Sequence, residues 1–231
     1  MKIGLFSDAH GNALALGQAL RLLRDRCERL FFLGDAIGYY PASNEVMGLI
    51  KDSGAYCLAG NHELMILGKL PLTEAKNKVY QLDGAWNRLS PEHRKWIATW
   101  EPSHRIELNG RKILLVHGSP NDPGTGYIYP DSDISSLNTV EQDVILMGHS
   151  HHAFTKQLDH VLVVNIGSCG LPRDHGGLGS FVVYDTDDNV AETFRFEIDR
   201  DAITATYGAM VHESVIKVLH REGPYYGKLL Q

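Results

Sequence analysis

The 231-residue chain is 43% hydrophobic and 22% charged, the composition of a globular protein with a sizeable core. Its net charge of −6, from 22 basic and 28 acidic side chains, excludes a broad surface for nucleic acid or anionic membrane, which Lys/Arg patches would have to form. A small phosphate ester stays within reach, because bound dications supply local positive charge on an acidic protein.

The apolar stretch at residues 3–6 is too short for a signal-peptide core and runs into Asp8. No apolar run approaches the ~18 residues of a membrane span. Cys27, Cys57 and Cys169 form no C-x-x-C pair, which fits free thiols in a cytoplasmic protein. Large α/β folds reach this length as single domains. With no repeat, linker or charge block in sight, the expectation is one domain over residues 1–231, with 200–231 a C-terminal helical extension.

The first two-thirds alternates strand and helix. A strand at residues 3–6 leads to Asp8, His10, Gly11 and Asn12. A helix follows, with Leu16, Leu20, Leu23 and Cys27 on one apolar face. The strand at 30–33 ends at Gly34 and Asp35. A helix over 43–51 takes Ser43 as its N-cap. The strand at 56–59 ends at Gly60, Asn61, His62 and Glu63. Residues 62–100 read as helical with a break near Pro71; Thr73 precedes one helix, and Ser90 and Pro91 start another.

Residues 105–108, the turn Asn109-Gly110 and residues 112–116 form a hairpin that ends at His117. After a Gly/Pro-rich loop, the strand at 144–147 ends at Gly148, His149 and His151. Strands are expected at 154–158, 161–166, 180–184 and 190–198. Residues 200–222 are expected to be helical, with Ile203, Met210, Val215, Val218 and Leu219 as contacts.

Five apolar strands thus end in side chains able to bind metal: Asp8 and His10, Asp35, Asn61 and His62, His117, and His149 and His151. In open α/β sheets, ligands bind beyond the carboxyl ends of the strands. Residues scattered in sequence would therefore converge at one edge. Two carboxylates, an amide and several imidazoles make a mixed N/O site. Such a set suits Mn, Fe, Zn, Co or Ni and argues against Mg or Ca. Asp35 can bridge two cations through its two oxygens, and two metals ~3.5–4 Å apart clamp both the attacking and leaving oxygens of an in-line displacement.

The order Asp8-x-His10, Gly34-Asp35, Gly60-Asn61-His62-Glu63, His117 and Gly148-His149-Ser150-His151 resembles the calcineurin-like metallophosphoesterase superfamily over residues 1–185. The blocks at 7–12, 34–41 and 165–173 are similar to its small prokaryotic phosphodiesterase branch. The resemblance implies an α/β (α+β) fold: two packed mixed β-sheets flanked by helices, a four-layer αββα sandwich. It also implies two divalent or transition metal ions. Asp8, His10 and His151 would hold the first, Asn61, His117 and His149 the second, and Asp35 would bridge them. His62 would lie beside the phosphate oxygens. Two departures stand out. Glu63 replaces the family's frequent Asp, whose place is to orient the His, so His62 is expected to shift slightly. Gly38 replaces the Asp of many phosphatases and points to the phosphodiesterase branch.

The implied chemistry is hydrolysis of a small organic phosphodiester or phosphomonoester by a hydroxide bridging the metals. His62 would stabilise the transition state or protonate the leaving oxygen. A dinucleoside polyphosphate hydrolase uses the same metals and is the enzymatic rival. A non-catalytic scaffold of the same fold is the rival of another class. The partner is a small phosphoester or nucleotide-like substrate, with no extended nucleic acid and no membrane; oligomeric state is left open.

Other residues carry two readings. Asn12 either touches phosphate or caps the helix that follows, capping being preferred. Arg173 either grips phosphate bidentately or forms a surface ion pair. Tyr39, Tyr40, Tyr127 and Tyr129 either stack on an aromatic group or pack their loops. His152 ranks below His151, because neighbours in extended chain point opposite ways. Cys169 reads as a small residue in a tight loop rather than a nucleophile.

Overall fold

The structure is a computed structural model and describes residues 1–230. Strand β1 (Lys2–Phe6) leads into α1 (Ala13–Leu23). Asn12 caps this helix by accepting the Ala15 N–H on Oδ1 at 3.2 Å. The helix buries Leu16, Ala19 and Leu23 and ends before Cys27, which lies half-buried beyond it. Next come β2 (Arg29–Phe32), α2 (Ser43–Ser53) and β3 (Tyr56–Cys57). Ser43 is not the cap of α2. It is the first helical residue, and its Oγ accepts the Gly38 N–H at 3.4 Å, bracing the preceding loop instead.

The region 61–97 breaks into four short helices: α3 (Asn61–Ile66), α4 (Glu74–Tyr80), α5 (Leu82–Arg88) and α6 (Pro91–Ile97). Thr73 and Ser90 cap α4 and α6 through their hydroxyls. The hairpin is β4 (Ser103–Leu108) and β5 (Arg111–Val116), turning on Asn109 and Gly110, both at positive φ. Then follow β6 (Val144–Met147), β7 (Phe154–Gln157), β8 (Leu162–Asn165), β9 (Leu178–Asp185) and β10 (Val190–Glu197). The tail carries α7 (Arg200–Tyr207), α8 (Glu213–Leu219) and a two-residue strand, β11 (Lys228–Leu229), that the sequence reading lacks.

Two mixed sheets result. The first has the order β11-β10-β9-β1-β2-β3, the second β4-β5-β6-β8-β7. Alternation decides which side chains meet. Ile3, Leu5, Phe31, Val182 and Tyr184 point from the first sheet into a shared core with Ile113, Leu115, Val144, Leu146 and Val164 of the second. Full burial of one such aliphatic side chain stabilises the fold by ~1.5–3 kcal/mol. The opposite face of the first sheet, with Phe6, Phe32 and Phe181, packs on the helices. The outer face of the second sheet, with Leu114, Ile145 and Val163, is covered by Ile134 and Leu137 around a 3-10 turn, so that outer layer is thin.

Ile203, Val215 and Leu219 of the tail helices join the helix-side core, whereas Met210 is half exposed and makes no core contact. No helix among the described residues is long and apolar enough to cross a membrane.

Candidate metal centre

β1, β2 and β3 run parallel, as do β5 and β6, so their chain exits can gather at one edge. The exits are tight. Among the described residues nine non-glycine positions have positive φ, and five of them are expected ligands: Asp8, His10, Asp35, His149 and His151, at +50° to +65°. Each such conformation costs on the order of 1–3 kcal/mol, and it persists where the surroundings over-determine it. Glycine makes room at the centre. A Cβ on Gly60 would stand 2.1 Å from Asp35 Oδ1, and one on Gly38 would stand 2.6 Å from His62 Nδ1. The Gly38 position is therefore fixed by the close approach of His62 as well as by its own φ of +89°.

The exits bring two donor groups together: Asp8, His10, Asp35 and His151, and Asp35, His117 and His149, all buried. Asp35 belongs to both. Its Oδ2 lies 3.6 Å from His10 Nε2 on one side and 3.6 Å from His117 Nε2 on the other. Its Oδ1 accepts the His62 N–H at 2.9 Å, which fixes the carboxylate plane. His151 Nε2 is 3.1 Å from Asp8 Oδ1 and 3.0 Å from His10 Nε2. Asn61 Oδ1 and His149 Nδ1 each stand 3.2 Å from His117 Nε2.

The outer ring nitrogens reveal which way the lone pairs point. His117 Nδ1 donates to Leu33 O at 2.7 Å, His151 Nδ1 to Leu171 O at 2.5 Å, and His149 Nε2 to Thr125 O at 3.2 Å. A neutral imidazole has one N–H, so in each case the inner nitrogen is a lone pair. Acceptors then face acceptors: His151 Nε2 against Asp8 Oδ1, and His117 Nε2 against His149 Nδ1 and Asp35 Oδ2. Asp8 Oδ1 is buried with no donor at all. A cation among these atoms turns mutual repulsion into ligation, and backbone carbonyls on the outer nitrogens are the support that metal-binding imidazoles need. The residues fit metal.

Electrostatics agree. Burial, aided by the charge of His62, holds His10 well below the usual imidazole range; burial also holds His149 down at about 2 and His62 at about 3. Burial with the nearby Glu63 and Asp8 charges pushes Asp35 well up. Burial also acts to raise Asp8, but His151 outweighs it and holds that carboxyl low. The imidazoles are thus ready as neutral ligands, while Asp35 lacks the positive charge a buried carboxylate requires.

Around the donors, Glu63 does not orient the His62 ring as expected. Its buried carboxylate accepts four backbone N–H groups, from Gly60, Asp35, Ala36 and Ile37, at 2.8–3.3 Å. The His62 ring is instead held by Ile37 O at 2.7 Å and by Tyr80, stacked at 4.7 Å. Tyr80 is a neighbour that sequence reasoning missed; it sits in a helix with no motif to mark it. Asn12 takes the capping role: Oδ1 caps α1 and Nδ2 donates to Gly170 O at 2.8 Å.

The tyrosines divide. Tyr39 packs edge-on against His10 at 4.7 Å, whereas Tyr40 turns away to Tyr207. Tyr127 lies on His149 at 4.0 Å and Tyr129 stacks on Tyr127. Arg173 donates to Tyr39 Oη at 3.1 Å and, instead of a surface ion pair, pairs with no carboxylate among the described residues. Its charge reaches the centre, adding to the lowering of His10, His62, His149 and His151. The loop around it is anchored by Asp174, which forks onto the fully buried Arg195 at 2.5 and 2.9 Å. His152 turns its Nδ1 to Ser150 O at 2.8 Å, away from the donors. Cys169 is fully buried and its thiol is pushed up by that burial, which removes it as a nucleophile.

The profile of the calcineurin-like phosphoesterase superfamily domain matches residues 1–189. The chain belongs to this superfamily. It is 29% identical over 218 residues to an uncharacterized protein of Methanocaldococcus jannaschii, covering 85% of this chain and 88% of that one. It is 24% identical over 173 residues to the phosphodiesterase YfcE of Escherichia coli K12, covering 69% and 88%. Among solved structures, a hypothetical protein of Pyrococcus horikoshii OT3 superposes with a TM-score of 0.81 at 22% identity, covering 98% of this chain and 99% of that one. A metallophosphoesterase of Sphaerobacter thermophilus superposes at 0.76 and 24% identity, covering 95% and 98%. Both share the two-sheet architecture. The superfamily consists of metal-dependent phosphoesterases, and the ligand-ready clusters lie within the matched residues.

Proposed function

We propose that the protein hydrolyses a small organic phosphodiester at a two-metal centre. The observation that carries this reading is the Asp35 carboxylate, set between two donor groups with inward-facing lone pairs. Asp8, His10 and His151 would hold one ion and Asn61, His117 and His149 the other, with Asp35 common to both sets. Two such dications supply an activated water near neutral pH and neutralise charge on the phosphoryl oxygens.

The chain's own residues do the rest. Arg173, held by Tyr39, meets the non-bridging phosphate oxygens as a guanidinium with no competing carboxylate. His62 presents Nε2 to the same space, because its Nδ1 is committed to Ile37 O. A phosphate anion beside that nitrogen favours its protonation, and the protonated ring hands its proton to the leaving oxygen. Gly38 carries no side chain because His62 Nδ1, Leu82 and Tyr80 O fill the place a Cβ would take, so no acid of the kind seen in many phosphatases stands over His62.

The test is hydrolysis of bis(p-nitrophenyl) phosphate and p-nitrophenyl phosphate by chelated protein reloaded with Mn, Fe, Zn, Co or Ni. The reading expects metal-dependent turnover with the diester ahead of the monoester. Metal-loaded protein inert on both would contradict it.

A further inference from the structure

A cavity of about 310 Å³ opens directly beside the second donor group. Asn61 and His149 form its inner wall, Met65, Leu70 and Tyr127 its sides, and Lys76 stands at its outer end. The volume is at the low end of the ~300–1,000 Å³ typical of small-ligand sites, room for one ring system and not for a length of polymer. Met65, Leu70 and Tyr127 give the cavity an apolar side opposite the polar Asn61, Thr125 and His149: Met65 is buried, and Tyr127, half exposed, lies on His149 at 4.0 Å and beside Tyr129 at 5.6 Å. Lys76 is exposed and forms no ion pair among the described residues. It lies in α4, whose last residue, Tyr80, stacks on His62. One short helix therefore borders both the catalytic imidazole and this cavity.

We propose that this cavity is the subsite for one organic arm of the ester, and that it takes a flat aromatic group bearing an anionic substituent. The ring rests against Tyr127 and Met65, and the substituent reaches Lys76. Asn61 and His149 belong both to the proposed centre and to the cavity lining, so an arm bonded to a phosphorus at that centre leads into the cavity. A short aliphatic arm leaves Tyr127, Met65 and Leu70 in contact with water and gains nothing there. The inference rests on the phosphodiesterase reading above.

The test compares three diesters that share one leaving group: methyl, phenyl and 4-carboxyphenyl p-nitrophenyl phosphate. All are read by p-nitrophenolate release from metal-loaded protein. One ring placed on an aromatic wall should raise kcat/KM about 10-fold from methyl to phenyl. The carboxylate should add roughly 2–5-fold through Lys76, as an exposed ion pair allows. Lys76→Ala should erase the second step and leave the phenyl-to-methyl ratio in place. Leu70→Trp, which fills the cavity, should bring the phenyl-to-methyl ratio toward one. Turnover of all three esters with equal kcat/KM in the wild type would overturn the subsite and leave the phosphodiesterase reading standing. Failure to hydrolyse any of them with any metal would overturn both.

Discussion

The carboxylate of Glu63 holds the backbone of Asp35: Glu63 Oε2 accepts the Asp35 N–H at 2.8 Å and the Gly60 N–H at the same distance. Glu63 thereby ties the exit of β2 to the start of α3, the two segments that deliver Asp35 and Asn61. Its other oxygen takes Ala36 and Ile37, and Ile37 O in turn holds the His62 ring. Glu63 is a positioning residue for the whole second half of the centre.

Glu63→Gln keeps the shape but puts an amide NH2 against backbone donors. We expect a loss of about 3 kcal/mol of stability in chelated protein, read from urea unfolding. Metal affinity should weaken ~10–100-fold. Glu63→Asp keeps the charge and should recover part of the metal affinity; if Gln and Asp bind metal as tightly as the wild type, the positioning role is wrong.

His62 touches no donor atom's ligand position but is fixed beside them by Ile37 O and Tyr80. His62→Gln should therefore retain metal while turnover of a diester falls by ~10²–10⁴. Metal content and kcat measured on the same preparation decide it. Loss of metal, or full activity, would remove His62 from its proposed role.

Much of this centre was legible in the sequence, for a physical reason. A buried strand reads as an apolar run, and a side chain able to bind metal at its end reads as an acid or imidazole where the run stops beside a glycine. Asp35, His117 and His149 all announce themselves in this way, and Asp8 does so without the adjoining glycine. Capping was legible for Asn12, and the helix starts read at Thr73 and Ser90 are capped by those hydroxyls. What was not legible depends on pairings remote in sequence. Glu63 reaches back across 28 residues to Asp35, and Arg195 reaches 21 residues back to Asp174. Neither pairing has a local pattern. Tyr80, Lys76 and the edge strand β11 are placed by tertiary packing alone. Ser43 was misread because a serine before a helix resembles a cap, yet its hydroxyl serves Gly38 from inside the first turn.

Chelated protein should lose stability as pH falls through the imidazole range. The folded-state values of His10, His62, His149 and His151 are depressed, chiefly by burial. Protons therefore bind the unfolded chain more readily, and stability is complete above the unfolded value of ~6.5 and declines below it. Asp35 works in the opposite sense: its raised value favours the folded, protonated form at low pH, and that contribution is lost as pH rises through the folded value. The imidazoles outnumber it, so the urea midpoint should fall between pH 7 and pH 5, the unfolding free energy dropping by up to ~1.4 kcal/mol per pH unit for each participating imidazole below pH ~6.5. A flat profile over that window would contradict the protonation states assigned to the donors.

Arg173→Ala should lower kcat/KM for a diester by ~10²-fold, the worth of a charge-assisted phosphate contact. Arg173→Lys, a point charge without the fork, should recover only part of it. Metal content should be unchanged in both, since Arg173 contacts the centre through its charge and through Tyr39. A drop in metal occupancy would recast Arg173 as structural.

The central claim is that Asp35 joins two metal sites into one catalytic unit. The direct measurement is metal stoichiometry titrated against turnover, in wild type and in Asp35→Asn. The wild type should bind two ions per chain, with diester hydrolysis rising only as the second is filled. Asp35→Asn should fold, because it removes a buried repelled carboxylate, yet lose metal and activity together. Full activity at one ion per chain, or a variant that keeps both ions and turns over normally, would contradict the account.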